Sequence, residues 1–409
     1  MTTNPPVVDW TTDYDIFDQE FIKEPWKVWD MLREECPIAH TERWGGSWLP
    51  TRYEDVVAFA KDTDTFSSRQ PLVTGPQEVS DYEPQPQDEL FANVSAPPIT
   101  SDPPDHQWAR RLILPVFSPQ AVAKYEQGTR DLCNSLIDGF IADGRADAAH
   151  DYAQQIPVRV IATMLGVGTE RSDEFVEWVR GMLEVGATDP EVRANAFRNI
   201  VLFFVDEVAD RRANPRDDLI SEMLEFEVDG EPVPESHILG TCLLMLVAGV
   251  DTTWSGIGSS MWHLATHPED RRRLVAEPDL WPTAIEELLR AYSPVTMARV
   301  ANHDTEFKGC PIKEGDRILM AFPAANRDPE VFENPNDVIL DRQHNRHVAF
   351  GSGIHRCAGS NLARLELRVA LQTWLDRIPE FELEDPDTVT WAGGQVRGPR
   401  SCPVVFPAG

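Results

Sequence analysis

Residues 238–264 carry a single charged side chain, Asp251, in an otherwise apolar and small-residue run. About 20 apolar residues suffice to cross a bilayer. A carboxylate at mid-span is costly there, and four glycines (Gly240, Gly249, Gly256, Gly258) further separate this run from an ordinary membrane span. The pattern predicts instead a helix over 234–266, buried at the centre of a water-soluble fold. Within it, Ala248 and Gly249 present almost no side chain, and the carboxylate of Asp251 and the hydroxyl of Thr252 follow directly. Poor helix formers gathered inside an apolar run are a local conflict of the kind found at functional sites. A plain structural account also stands, with the threonine bonded back to the preceding turn and the aspartate paired.

A second feature is the loop 350–359, where Cys357 follows Gly351 and Gly353 and precedes an apolar helical run over 362–371. A thiol at a helix N-terminus meets the positive end of the dipole and free N–H groups, which favours the thiolate and so metal ligation. The alternative is a buried structural cysteine. Cys36, Cys133, Cys242, Cys310, Cys357 and Cys402 contain no C-x-x-C pair, so neither a disulfide framework nor a zinc ribbon is indicated, and a reducing cytoplasm fits. His355 lies two residues before Cys357 but lacks the companion ligands of a zinc site.

Helical spacing is expected at 25–35, 53–61, 119–143, 152–165, 169–187, 189–212 and 284–289, with a strand at 47–50 and a strand-turn-strand tip at 391–396. Between 63 and 104 the periodicity lapses, which reads as a functional lid or a disordered linker; composition alone favours the linker, yet Phe91, Val94 and other apolar residues punctuate the segment. Asp102 is the expected N-cap of a helix on which His106 and Arg110, four apart, share one face. Two solvated basic residues are the plain alternative. The net charge of -31 argues against nucleic-acid and anionic-membrane binding. Residues 1–6 show no basic and apolar leader, so no signal or anchor is expected.

Phe350, Gly353, Cys357 and Gly359 make the spacing Phe-x-x-Gly-x-x-x-Cys-x-Gly, Glu287 and Arg290 make Glu-x-x-Arg, and residues 248–253 read Ala-Gly-Val-Asp-Thr-Thr. In their order along the chain the motifs resemble the cytochrome P450 superfamily, of the soluble bacterial type, across essentially the whole chain. The resemblance implies a mainly α protein with small β-sheets, a prism-like fold in one domain over 1–409. Its long central helix crosses the haem, 63–104 caps the substrate pocket, and 350–376 holds the Cys loop and the helix after it. It also implies haem b (iron protoporphyrin IX), with Cys357 as the iron ligand, Ala248, Gly249, Phe350 and Gly359 close around it, and His106, Arg110, Arg299 and His355 as propionate partners. Asp251 and Thr252 take the catalytic role of proton delivery, and Glu287, Arg290 and Arg342 form a structural network. The pocket wall draws on Phe91, Val94, Leu244, Ala248, Val295, Thr296, Ala298 and Gln395. Adjacent helical side chains diverge by ~100°, so Thr252 is expected to face the iron and Asp251 to turn away.

The implied activity is that of a monooxygenase that inserts one atom of O2 into a small hydrophobic substrate, by hydroxylation or O-/N-dealkylation. No G-x-G-x-x-G nucleotide loop is present, so electrons are expected from a ferredoxin or flavodoxin with an NAD(P)H reductase. Arg346, Arg356, Arg364 and Arg368 suggest a basic docking patch for that acidic partner. A cytoplasmic monomer is expected. Two other readings stay open: a peroxide-driven peroxygenase, which normally lacks the acid-alcohol pair, and a haem-binding or sensor protein without turnover.

Overall fold

The uncharged run forms a 32-residue helix, Glu235–Thr266. The computed structural model describes residues 4–75, 88–228 and 230–408, so the middle of the expected lid, Tyr82 included, lies outside the described residues. This central helix is long and apolar enough to cross a membrane, yet 78% of its most apolar window is buried inside the fold. Helices Gln155–Leu165, Ser172–Leu183, Pro190–Ala213 and Ser360–Arg377 pack on it, as does strand Gly398–Ser401. Among its mid-helix residues only Leu244, Ala248, Gly249, Thr252 and Gly256 are half-buried rather than buried. Spacings of four put them on one face, and that face borders a cavity.

Two glycines let a strand lie directly on this helix. A Cβ on Gly258 would stand 2.9 Å from Pro399 Cγ, and one on Gly398 would fall inside Ser255. The close approach carries Arg400 to the level of Asp251.

A five-stranded sheet closes the other side, in the order Ile38–Thr41, Ser47–Pro50, Arg317–Ala321, Thr296–Ala301, Phe66–Ser67. Side chains alternate across a strand. Thus Leu319 and Ala321 join the apolar cluster around Trp29 and Leu32, while Ile318 and Met320 join the one around Phe59 and Phe66. Both faces of this strand are buried, and the architecture is the expected mainly α fold with small sheets.

Some local expectations shift. The lead-in holds two short helices, Trp10–Asp13 and Gln19–Lys23, capped by the carboxylates of Asp9 and Asp18. The run 119–143 divides into Pro119–Ala123 and Glu126–Asp138 with a 3-10 turn at Ile141–Asp143, and a π-helical turn, Ala148–Ala153, precedes Gln155–Leu165. Asp102 is not an N-cap. The helix runs Asp105–Ile113 without a side-chain cap, and the Asp102 carboxylate instead accepts from Ser67 Oγ (2.6 Å) and Ser68 N (2.8 Å).

Candidate active site

Between the central helix and the Cys loop lies a cavity of ≈ 1580 Å³, counted with its open mouth. Cys357 stands on its wall, open to the cavity, three residues before helix Ser360–Arg377. Gly351 and Gly353, at φ +74 and +73, make the loop's turns, and a Cβ on Gly353 would lie 2.8 Å from Ala60 O. The Cys357 N–H donates to Phe350 O at 2.8 Å, and Phe350 is itself covered by the Arg364 guanidinium. Burial pushes the Cys357 thiol up, against the pull of the Gly359 N–H and of Arg110, Arg356 and Arg364. Desolvation therefore outweighs the helix terminus, and the thiolate needs a bound cation to stabilise it.

Four cationic or ring donors gather at one edge of this space. Arg110, Arg299 and His355 line the cavity, and the His106 ring meets His355 edge-on at 4.4 Å. Burial and the neighbours Arg299, His106 and Arg110 push His355 down to about 2, and burial lowers Arg299 to about 10. His106 Nε2 and Arg299 Nε are buried without a hydrogen-bond partner. Such atoms cost free energy unless satisfied, and carboxylates at this edge would satisfy them. The donor set fits a flat group that carries acids.

Thr252 lies on the cavity wall and its Oγ1 donates to Ala248 O at 2.8 Å, the back-bond that a structural threonine would make. Gly249 also borders the cavity, but a Cβ there would lie 2.6 Å from Ile161 Cδ1, so helix packing alone already demands glycine. Asp251 is fully buried and turned away from the cavity. Arg400 Nη2 lies 2.8 Å from Asp251 Oδ1, and Arg400 Nε lies 2.7 Å from Glu184, which pairs in turn with the half-exposed Arg180 at 2.7 Å. Burial raises the Asp251 pKa, and Arg400 opposes that rise. A continuous chain of charged groups thus runs from Asp251 towards the surface. Nothing local in the sequence pointed to Arg400, 149 positions downstream of Asp251.

Glu287 and Arg290 are both fully buried and make a two-bond pair, at 2.8 Å each. Arg342 Nε (2.9 Å), Asn345 Nδ2 (3.1 Å) and the Ile339 N–H (2.8 Å) complete the Glu287 carboxylate. Arg290 donates to the carbonyls of Asn326, Pro335 and Asp337. The pair thereby fixes the segment that leads into the Cys loop.

Several expected wall residues stand elsewhere. On strand Thr296–Ala301 and the residue before it, Val295, Met297 and Arg299 face the cavity, while Thr296 and Ala298 do not. Ala298 belongs to the apolar cluster on the far side of the sheet, as strand alternation requires. Met297, on the wall, was not foreseen. Phe91 packs on Phe197 at 6.3 Å and beneath Arg198. Val94 is buried in the helical core, off the wall. The Gln395 amide is committed to Val73 N (2.9 Å) and Met297 Sδ (3.0 Å). The basic patch is also smaller than expected. Arg364 pairs with Glu286 and Arg368 with Glu126, while Arg346, over the Tyr53 ring, stays exposed. Against burial, Arg364 and His347 hold Glu286 at about 2. Arg356 keeps its exposure, beside the half-exposed Ile354.

Glu366 is a further wall residue: it is 1% exposed, its Oε2 has no partner, and burial pushes it up to about 8.

Known proteins resemble this chain in sequence and fold. The family model for cytochrome P450 matches residues 188–391. The polyketide biosynthesis cytochrome P450 PksS of Bacillus subtilis is 34% identical over 402 residues, 94% of this chain and 96% of that protein. Its solved structure superposes with a TM-score of 0.86 at 33% identity, over 96% of this chain and 99% of that one. The structure of P450BioI with a hexadec-9Z-enoic acid ligated acyl carrier protein superposes at 0.85 with 30% identity, over 95% and 100%. Identity of this extent, together with the thiol, the cationic edge and the buried helix around one cavity, shows that this chain belongs to the cytochrome P450 family.

Proposed function

We propose that this cytochrome P450 monooxygenase takes an uncharged, apolar organic substrate and receives its electrons from a separate acidic redox protein. The observation that carries the reading is that Cys357, Thr252 and the cationic edge all border one cavity. Haem b would be held there by Cys357 at its iron and by His106, Arg110, Arg299 and His355 at its carboxylates. Held by a thiolate, it supplies activation of O2 and transfer of one oxygen atom to substrate.

The chain's own residues do the rest. Away from the cationic edge the wall is built of Pro98, Ile99, Leu244, Met245, Val295 and Met297, which bind by burial and exclude water. Thr252 holds a hydroxyl at the cavity, and Asp251, held by Arg400 within the Glu184 and Arg180 ion-pair chain, is the carboxyl that passes solvent protons towards it. This pairing favours an O2-driven over a peroxide-driven cycle. Exposed Arg356, next to the ligand, supports partner docking on the thiolate side. All six cysteines are free, which supports a reducing, cytoplasmic setting.

The test is a titration of neutral apolar ligands against the holoprotein, read by the Soret shift, and the carbon monoxide difference spectrum of Cys357→Ser. Thiolate-type absorption is expected in the wild type and absent in the variant. A variant spectrum identical to wild type would remove Cys357 as ligand.

A further inference from the structure

His355 occupies an unusual position for a donor. It is surrounded by Arg110, Arg299 and His106, all of which repel a positive ring, and it lines the cavity. Its use there depends on which ring nitrogen faces inward. One nitrogen is already fixed: Ser68 Oγ lies 2.8 Å from His355 Nε2. Ser68 is fully buried and is absent from the cavity wall. The bond therefore ties down the outward edge of the ring and leaves Nδ1 as its remaining polar atom.

Ser68 is in turn held by the Asp102 carboxylate, which accepts from the Ser68 N–H at 2.8 Å and the Ser67 hydroxyl at 2.6 Å. Strand Phe66–Ser67 pairs with Thr296–Ala301, the strand of Arg299, with Ser67 opposite Val300. Asp102 is also the carboxylate that offsets burial at Arg299. Its place three residues before the helix is thus occupied for a tertiary reason and not for capping.

We propose that Ser68, locked by Asp102, is a positioning residue for His355, setting the ring so that Nδ1 serves the carboxylate edge of the haem. The inference rests on the reading that this cluster holds haem carboxylates, and it adds the group that directs one of the donors. Substituting a serine that lies off the cavity wall should then loosen the cofactor through His355 alone.

The experiment is a cycle of purified holoproteins: wild type, Ser68→Ala, His355→Leu and the double variant, with Ser68→Thr as the hydroxyl-retaining control. Two quantities are read: the rate of haem transfer to excess apomyoglobin, and the ferric/ferrous reduction potential. Ser68→Ala should release haem roughly tenfold faster, the worth of one buried hydrogen bond, and lower the potential because a carboxylate is less well neutralised. In the His355→Leu background Ser68→Ala should add nothing, and Ser68→Thr should stay close to wild type. Equal effects of Ser68→Ala with and without His355 would overturn the proposal, since the serine would then act on general stability. So would a wild-type release rate in Ser68→Ala while His355→Leu is impaired. If His355→Leu itself changes neither quantity, the haem-edge reading of His355 falls and the proposal with it.

Discussion

Arg400 Nη2 lies 2.8 Å from Asp251 Oδ1, joining strand Gly398–Ser401 to the middle of the central helix. The pair is enclosed: the Arg400 guanidinium covers the Trp254 ring at 4.2 Å, and Arg400 Nη1 donates to Ser255 Oγ at 3.1 Å. Burial raises the Asp251 pKa and Arg400 counters it, so the arginine sets how readily this carboxyl exchanges its proton.

Arg400→Leu should therefore leave haem content intact and slow product formation by about 10² or more, the usual worth of a positioned proton donor. Thr252→Ala should differ in kind, by keeping NAD(P)H consumption and diverting it to hydrogen peroxide. Steady-state NAD(P)H, peroxide and product balances on one substrate separate the two. Equal coupling in Thr252→Ala and wild type would sink the hydroxyl's role.

Glu287 is the shared acceptor of two buried arginines, Arg290 and Arg342. Glu287→Gln removes the charge and keeps the shape, leaving the two guanidiniums uncompensated at a cost of ~3–5 kcal/mol. Expected outcomes are a low haem-to-protein ratio and a lower melting midpoint, with no change in ligand preference among molecules that retain haem. Full haem occupancy at the wild-type midpoint would show that the network is dispensable.

Strand phase makes a paired prediction about the substrate wall. Met297 faces the cavity and Thr296 does not. Met297→Ala should change the dissociation constants of apolar ligands roughly tenfold, from the buried area lost, and Thr296→Val should leave them within about twofold. Soret-shift titrations check both, and the reverse ranking would contradict the register.

Glu366 binds its proton more tightly in the folded chain than a free carboxyl does, at about 8 against 4.5, because burial disfavours its charged form. Its contribution to stability is present below the ordinary carboxyl range and is lost as pH rises through about 8. Thermal midpoints of the wild type should fall between about pH 5 and pH 9, and Glu366→Gln should flatten that fall. A slope that survives the substitution would point to other groups.

What the sequence determined was local. The central helix was legible because its single charge and its apolar run lie within one stretch, and it spans Glu235–Thr266. The Cys loop and the Glu287 and Arg290 pair were legible because their members lie within a few residues of one another. Tertiary structure decided whatever depends on phase or on distant partners. Alternation along 295–299 was implicit in a strand, but which parity faces the cavity depends on how the sheet docks, and Thr296 and Ala298 went to the other side. The arginines of the Cys segment carry the same charge in any sequence. Only folding brings Glu286 and Glu126 onto Arg364 and Arg368, because an ion pair between residues far apart in the chain forms only where the packing of helices places them.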